Sequence, residues 1–304
     1  MQRIKSLLLV TVLSWTGSEF QSAFAADLPP VGSGCSVAAF LETSGQYRNH
    51  TNPNATGTNF SSATASGFGG AQYGCGPWNI QATGSLQNTF GYDQNYGAFG
   101  YNRSDLFGYG EVDIFVRDPR ALAFGVGIQR QAEDFHTIGY GTANGVDVHN
   151  YSNFTEGRVF GDLYLNDSVT LGAVGFYRAG DNFFTGNGFD SQGSEYGGNV
   201  FGRYYFTPNF RVALNGALSQ ATYSATGFTN NYTYYSGTLS GAYKFEGTPV
   251  SIFGGLRYGG TNSSPSNSAI VTPSNNQDAY LGVRFDFGSH ANSSLVESDR
   301  NGVH

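Results

Sequence analysis

The sequence predicts an all-β chain closed into a transmembrane up-and-down antiparallel β-barrel of about twelve strands, with ten or fourteen as the alternatives. Three observations predict it. Stretches of alternating polarity recur along the chain, separated by turn-forming residues. Charged residues make up only 12% of the 304, while Gly (44), Phe (25) and Tyr (20) are abundant. The connections alternate between tight turns and long segments rich in Gly, Asn, Ser and Thr. An apolar content of 39% is thin for a soluble enzyme with a thick aliphatic core. It suits a sheet with one apolar and one uncharged polar face, each strand crossing a membrane with about ten tilted residues.

Taken in order, the chain opens on an export signal. Arg3 and Lys5 form a charged start, Leu7 to Trp15 a short apolar stretch, and Ala23-Phe24-Ala25 a small-residue cleavage site. Residues 1–25 are therefore expected to be removed, leaving a mature chain that begins near Ala26 and leads through 26–34 into the barrel. The apolar stretch is too short to span a bilayer as a helix, and no later segment reaches the roughly eighteen apolar residues required. Without Arg3, Lys5 and Glu19, the 15 basic and 22 acidic residues become 13 and 21, a formal charge of −8. No basic stripe appears anywhere, which argues against nucleic acid as a partner. Cys35 and Cys75, the two cysteines, read as a disulfide in an oxidising compartment, with a free buried pair as the alternative.

The barrel is expected over 35–287, with strands at 36–47, 62–73, 78–90, 105–117, 121–130, 151–165, 168–179, 195–206, 210–223, 232–245, 250–259 and 278–287. The third alternates most clearly: Trp78, Ile80, Ala82 and Leu86 against Gln81, Thr83 and Gln87. In the fourth, Leu106, Val112, Ile114 and Val116 face outward, and Glu111, Asp113 and Arg117 inward. The sixth places Val159, Leu163 and Leu165 outward, and Glu156, Arg158 and Asp162 inward. The eighth divides Tyr196, Val200, Tyr204 and Phe206 from Glu195 and Arg203. A cation on a lipid face costs roughly 2–4 kcal/mol at the midplane, so the charged faces should be the enclosed ones.

Tight turns are expected at Gly74-Cys75-Gly76-Pro77, Asp118-Pro119-Arg120, Asn166-Asp167, Thr207-Pro208-Asn209 and Glu246-Gly247-Thr248-Pro249, and long loops at 48–61, 91–104, 131–150, 180–194, 224–231 and 260–277. An even strand count brings both chain ends to the tight-turn side, which is then periplasmic. This puts Cys35 and Cys75 at one rim, on neighbouring strands. Outward aromatics fall into two girdles. Tyr73, Trp78, Phe206, Phe210, Tyr243, Phe245, Phe285 and Phe287 lie toward the tight turns; Tyr47, Phe90, Tyr177, Tyr196, Tyr235 and Tyr258 lie toward the long loops. A β-propeller would share the recurrence of turns but lacks its signature here. A soluble sandwich or lipocalin-like barrel would instead bury the apolar face.

The last strand, Ala279-Tyr280-Leu281-Gly282-Val283-Arg284-Phe285-Asp286-Phe287, alternates apolar residues with Tyr280, Arg284 and Asp286. Its pattern Tyr280-x-Gly282-x-x-Phe285-x-Phe287 resembles the terminal-strand signature of Gram-negative outer-membrane β-barrel proteins of the porin-like class. That resemblance implies residence in the outer membrane, delivery by periplasmic chaperones to its assembly machinery, and contact with outer-membrane lipid and lipopolysaccharide. Family members that stop at the terminal aromatic differ from this chain, which continues as Gly288 to His304, a polar tail without pattern, expected to be loose.

Inward charges carry the functional expectation. Glu42, Glu111, Asp113, Arg158 and Arg257 fall near mid-height by residue count, as a constriction with acidic and basic sides that screens small hydrophilic solutes. Glu156 opposite Arg178 illustrates the other possibility, a structural ladder of ion pairs in a closed lumen. The expected role is passive diffusion, with no cofactor and no catalysis. The alternative is a non-conducting structural barrel whose loops contact partners. A third reading, less favoured, starts from His149-Asn150-Tyr151-Ser152, which resembles the His-x-Ser pairing of outer-membrane lipid acyl hydrolases. Three-residue spacing sets the two side chains on opposite strand faces unless a bulge intervenes. His50, His136, His149, His290 and His304 are scattered. Glu133, Asp134, His136, Asp147 and His149 share one expected loop, read as solvated acidic surface. Gly67 to Gly70 precede no helix and form no phosphate loop.

Overall fold

The computed structural model describes residues 35–51, 60–96, 99–140, 146–181, 191–225, 228–265 and 274–301. The expected export signal, the segment 26–34 and His304 lie outside them. Twelve strands follow in chain order: β1 (Cys35–Thr51), β2 (Phe60–Cys75), β3 (Trp78–Tyr96), β4 (Phe99–Asp118), β5 (Leu122–Tyr140), β6 (Val146–Asn166), β7 (Val169–Asp181), β8 (Ser191–Thr207), β9 (Phe210–Ala225), β10 (Phe228–Lys244), β11 (Val250–Pro265) and β12 (Ser274–Gly288). Each pairs antiparallel with its sequence neighbours, and β1 pairs with β12, so the sheet is a closed barrel. Closure satisfies every edge, the condition for β-structure inside hydrocarbon. Among the described residues no helix is long and apolar enough to cross a membrane.

Alternation sorts the side chains as the sequence suggested. Leu41, Ile80, Leu106, Ile114, Val126, Leu163, Val200, Leu214, Leu256 and Leu281 stand exposed on the outer face. The polar and charged partners one residue along each strand are buried inside. An apolar outside and a buried polar inside invert a soluble fold, and place hydrocarbon, not water, around the wall. The expected girdle aromatics stand on that outer surface. Tyr204, Phe206 and Phe210 stack in sequence at 4.7 and 5.6 Å near one short turn, and Tyr243 meets Phe245 at 5.4 Å near the next.

The short turns need specific backbones. Gly76 (φ 60°) and Gly247 (φ 67°) occupy the left-handed region, which a Cβ disfavours. Cys35 and Cys75 are register partners across β1 and β2, 4.3 Å apart at Cα, and are joined as a disulfide.

Two expectations need correcting. The long loops 91–104, 131–150 and 224–231 are largely strand. β3 runs to Tyr96 and β4 starts at Phe99; β5 runs to Tyr140 and β6 starts at Val146; β9 ends at Ala225 and β10 starts at Phe228. Hydrogen-bonded pairing continues past the apolar band into Asn-, Thr- and Ser-rich sequence, where no apolar alternation marks it.

The second correction is the tail. Gly288 has φ 89°, and a Cβ there would run into the Val37 carbonyl oxygen. At this glycine the chain turns off the wall. Ser289 N–H donates to Val37 O at 3.2 Å, and residues Leu295–Asn301 then form a short helix, α1. Ser294 and Glu297 cap it reciprocally: Ser294 N–H donates to Glu297 Oε2 (3.1 Å) and Glu297 N–H to Ser294 Oγ (3.3 Å). Leu295, Ser298, Asp299, Arg300 and Asn301 are buried. The helix lies within the short-turn end of the barrel.

Candidate functional site: the lumen

Inward side chains of the twelve strands meet in three groups. The first spans β3 to β8. Arg158 on β6 grips Asp113 on β4 with two hydrogen bonds, Nε to Oδ1 at 3.0 Å and Nη2 to Oδ2 at 2.8 Å, and pairs with Glu111 as well. Gln81 on β3 donates to the same Asp113 (2.7 Å). Arg178 on β7 bonds Glu195 on β8 at 3.0 and 2.5 Å. Phe154 and Phe176 rings flank its guanidinium at 5.8 Å each. Glu156 is the register partner of Arg178, as the ladder reading expected, but Arg178 donates its two hydrogen bonds to Glu195.

The second group lies toward the long-loop end. Asp278 on β12 accepts from Arg257 Nε (2.6 Å) and from Arg48 Nε (2.9 Å). His50 and Asn276 hydrogen-bond on the same pair of strands.

The third closes the short-turn end. Glu42 is the register partner of Arg284 and lies buried among the charges of Arg284, Arg211 and Asp286. Lys244 Nζ donates to Asp286 (2.7 Å) and to Ser298 of α1 (2.8 Å). Tyr205 Oη donates to Asp299 Oδ2 at 2.6 Å, and Arg211 bonds the same oxygen. Arg300 bonds the Asn166 carbonyl and stacks 5.3 Å from the Tyr164 ring. Leu295 packs against Ala242, Phe253 and Tyr280. Full burial of a leucine is worth about 1.5–3 kcal/mol, and each neutral hydrogen bond about 0.5–1.5 kcal/mol net. Hydrogen bonds to charged groups, the Arg211–Asp299 pair and one buried leucine hold α1 in place.

Of the expected pore residues, Glu111, Asp113, Glu156, Arg158 and Arg178 therefore share one wall region, while Glu42 and Arg257 belong to the groups at either end. Residue counting missed this because strand tilt staggers register around a barrel. Glu42 pairs in register with Arg284, whose other register partner is Ser251 beside the β10–β11 turn. Sequence reasoning also missed the part α1 plays. The Ser294-Leu295-Val296-Glu297 capping signature was the signal for it.

The expected assembly residues divide by face. Phe285 and Phe287 are exposed on the outer surface. Gly282 lies under the Phe253 ring, where a Cβ would collide, and Tyr280 packs 6.4 Å from that ring.

The lumen is unevenly filled. Along β1 to β4 the rings of Phe40, Phe68, Tyr109 and Phe107 pack in series, with Phe40 4.8 Å from Phe68, and Arg284 lies 4.2 Å over Phe40. On the other side, Val174, Phe176, Asn215, Ala217, Ser236, Thr238 and Ser240 of β7, β9 and β10 keep partial exposure. Most are small, so that side is the less crowded one.

For the hydrolase reading, β5 and β6 pair without a register shift from 139↔146 to 122↔163, so no bulge realigns 149 with 152. Ser152 is buried in the lumen. Among the described residues no group of His, Cys, Asp and Glu could hold a metal ion. The described parts of the expected loop 131–150 are instead strand, 131–140 on β5 and 146–150 on β6, where His136 and His149 are register partners.

A scan against protein-family models and a search of curated proteins return no match. Solved structures do match. The COG4313 outer membrane channel from Pseudomonas putida F1 aligns with TM-score 0.57 at 13% identity, covering 86% of this chain and 98% of that one. The translocator domain of the autotransporter NalP from Neisseria meningitidis aligns with TM-score 0.52 at 11% identity, covering 84% and 89%. At such identities the likeness is one of fold: this chain is built as an outer-membrane β-barrel.

Proposed function

We propose that this outer-membrane-type barrel is a narrow channel for passive diffusion of small hydrophilic solutes, with its short turns and both chain ends on the periplasmic side. One observation carries the reading. The polar inward side chains Asn215, Ser236, Thr238 and Ser240 of β9 and β10 keep partial exposure beside a wall otherwise packed with ion pairs and aromatic rings. A strip of Asn, Ser and Thr offers a hydrated solute replacement hydrogen bonds, while the Arg158–Asp113 and Arg178–Glu195 pairs stiffen the neighbouring β4 to β8. Glu42, Glu111, Asp113, Glu156, Arg158, Arg178 and Arg257 set the charge along the way. The chain performs no catalysis in this reading and needs no cofactor. Its partners are outer-membrane lipid, lipopolysaccharide and the assembly machinery that reads Phe285 and Phe287 on the final strand.

A second reading is favoured by the Phe40–Phe68–Tyr109–Phe107 series and the buried salt bridges. Barrels of about eight strands fill their interior, sixteen or more conduct, and twelve fall between. A wholly filled lumen would make this a non-conducting structural barrel. Liposome swelling with sugars of graded size separates the two. The channel reading expects swelling with the smallest sugars that falls away as solute size rises. Swelling no faster than protein-free vesicles, from material shown to be folded, overturns it.

A further inference from the structure

The short-turn mouth is basic, and what fills it is an acid. Five wall cations face the lumen there, Arg117, Arg203, Arg211, Lys244 and Arg284, against three wall carboxylates, Glu42, Asp162 and Asp286. The charged residues of α1 are Glu297, Asp299 and Arg300, a net charge of opposite sign. Asp299 lies almost wholly buried against the cationic wall. Its Oδ2 receives both Tyr205 Oη and Arg211 Nη1, and Arg203 lies within electrostatic range of it. Its buried Oδ1 has no hydrogen-bond partner among the described residues. A phenol and a guanidinium converging on one carboxylate oxygen, beside a second guanidinium, form a receptor for a small anion.

The segment that brings this carboxylate leaves the wall at Gly288, whose left-handed backbone turns the chain inward. Leu295 is its single buried large apolar side chain. Its polar contacts, such as Ser298 to Lys244 and Arg300 to the Asn166 carbonyl, are of a kind that water can replace once the segment withdraws.

We propose that the Tyr205–Arg211–Arg203 seat is an anion-binding site of the lumen, and that α1 is a displaceable plug whose Asp299 stands in for the carboxylate of a small organic anion. When the plug withdraws, the mouth carries an excess of positive charge and admits anions in preference to cations. The inference deepens the channel reading and rests on it.

The test uses the full-length chain in planar lipid bilayers under a potassium chloride gradient, with sodium acetate as the second probe. Folding is checked by the mobility difference between heated and unheated samples. Leu295→Glu sets a charge among Ala242, Phe253 and Tyr280, and Asp299→Asn removes the anion with little change of shape. Each is expected to raise time-averaged conductance roughly tenfold or more. The reversal potential should report anion preference with either chloride or acetate. Adding Arg211→Gln to Leu295→Glu should move that potential toward zero while current persists. Folded variants that conduct like the parent overturn the plug and leave the channel reading standing. Raised conductance with cation preference, or a reversal potential indifferent to Arg211→Gln, overturns the seat. Silence from the parent and every folded variant removes the plug, the seat and the channel together.

Discussion

Arg158 shows what a single buried residue decides inside this wall. Its guanidinium answers both Glu111 and Asp113, and its side chain is almost wholly buried. Arg158→Met keeps the volume and strands two carboxylates in a low-dielectric interior. Removing one partner of a buried pair typically costs about 3–5 kcal/mol, so the variant should unfold at clearly lower urea concentration in detergent or lipid. An unfolding midpoint equal to the parent's would show the pair to be solvated. His290, where the chain enters the lumen, gives the pH dependence. Its imidazole is pushed down from the usual 6.5 to about 4, chiefly by burial; Glu297 opposes the shift and Lys244 adds to it. A released tail takes up its proton near 6.5, whereas the docked tail resists until about 4. Docking is therefore fully stable above 6.5 and weakens progressively as pH falls toward 4. Hydrogen exchange of the α1 amides, corrected for intrinsic rates, should show protection declining across that window, and His290→Gln should abolish the decline.

At the scale of the element, each strand is a two-sided device. β9 presents Leu214 and Leu218 to the outside and Arg211, Asn215 and Ser219 to the lumen. Leu214→Arg moves charge to the hydrocarbon face and should destabilise the barrel by about 2–4 kcal/mol if the site is near the midplane. A loss below about 1 kcal/mol in lipid would place that face in water or at the rim. β12 joins both roles: its outward phenylalanines are available to a reader of the strand, while Tyr280 and Gly282 accommodate Phe253 and, beyond it, Leu295 of the plug. The terminal pattern read from sequence as a single assembly signal thus divides between the outer surface and internal packing. α1 is the element that was least legible. Seven residues carry too little apolar periodicity to register, although its cap was written in Ser294 and Glu297.

At the scale of the whole molecule, local alternation and global closure have different origins. Period-two polarity between Trp78 and Gln87, or between Leu106 and Arg117, follows from strand geometry and is visible without the fold. It stops being visible where the apolar band ends, which is why 131–150 reads as a loop although 131–139 and 146–150 are paired. Heights around the barrel are a further step removed. Glu42 and Arg257 look equivalent to Arg158 when residues are counted from the nearest turn. Tilt carries Glu42 down to Arg284, and leaves Arg257 with Asp278 and Arg48 toward the opposite end.

The order of residues alone determined that the chain forms strands, which face of each is apolar, where the short turns fall, and that Cys35 and Cys75 share a rim. All of these depend on interactions a few residues long or on one neighbouring strand. Only the tertiary structure decided which charges meet across the lumen, and that the polar tail folds back to seat Asp299 on Tyr205 and Arg211. Those partners lie 94 and 88 residues away in sequence. Charge pairing at such separation is set by register, tilt and closure acting together, and no stretch of sequence read by itself contains them.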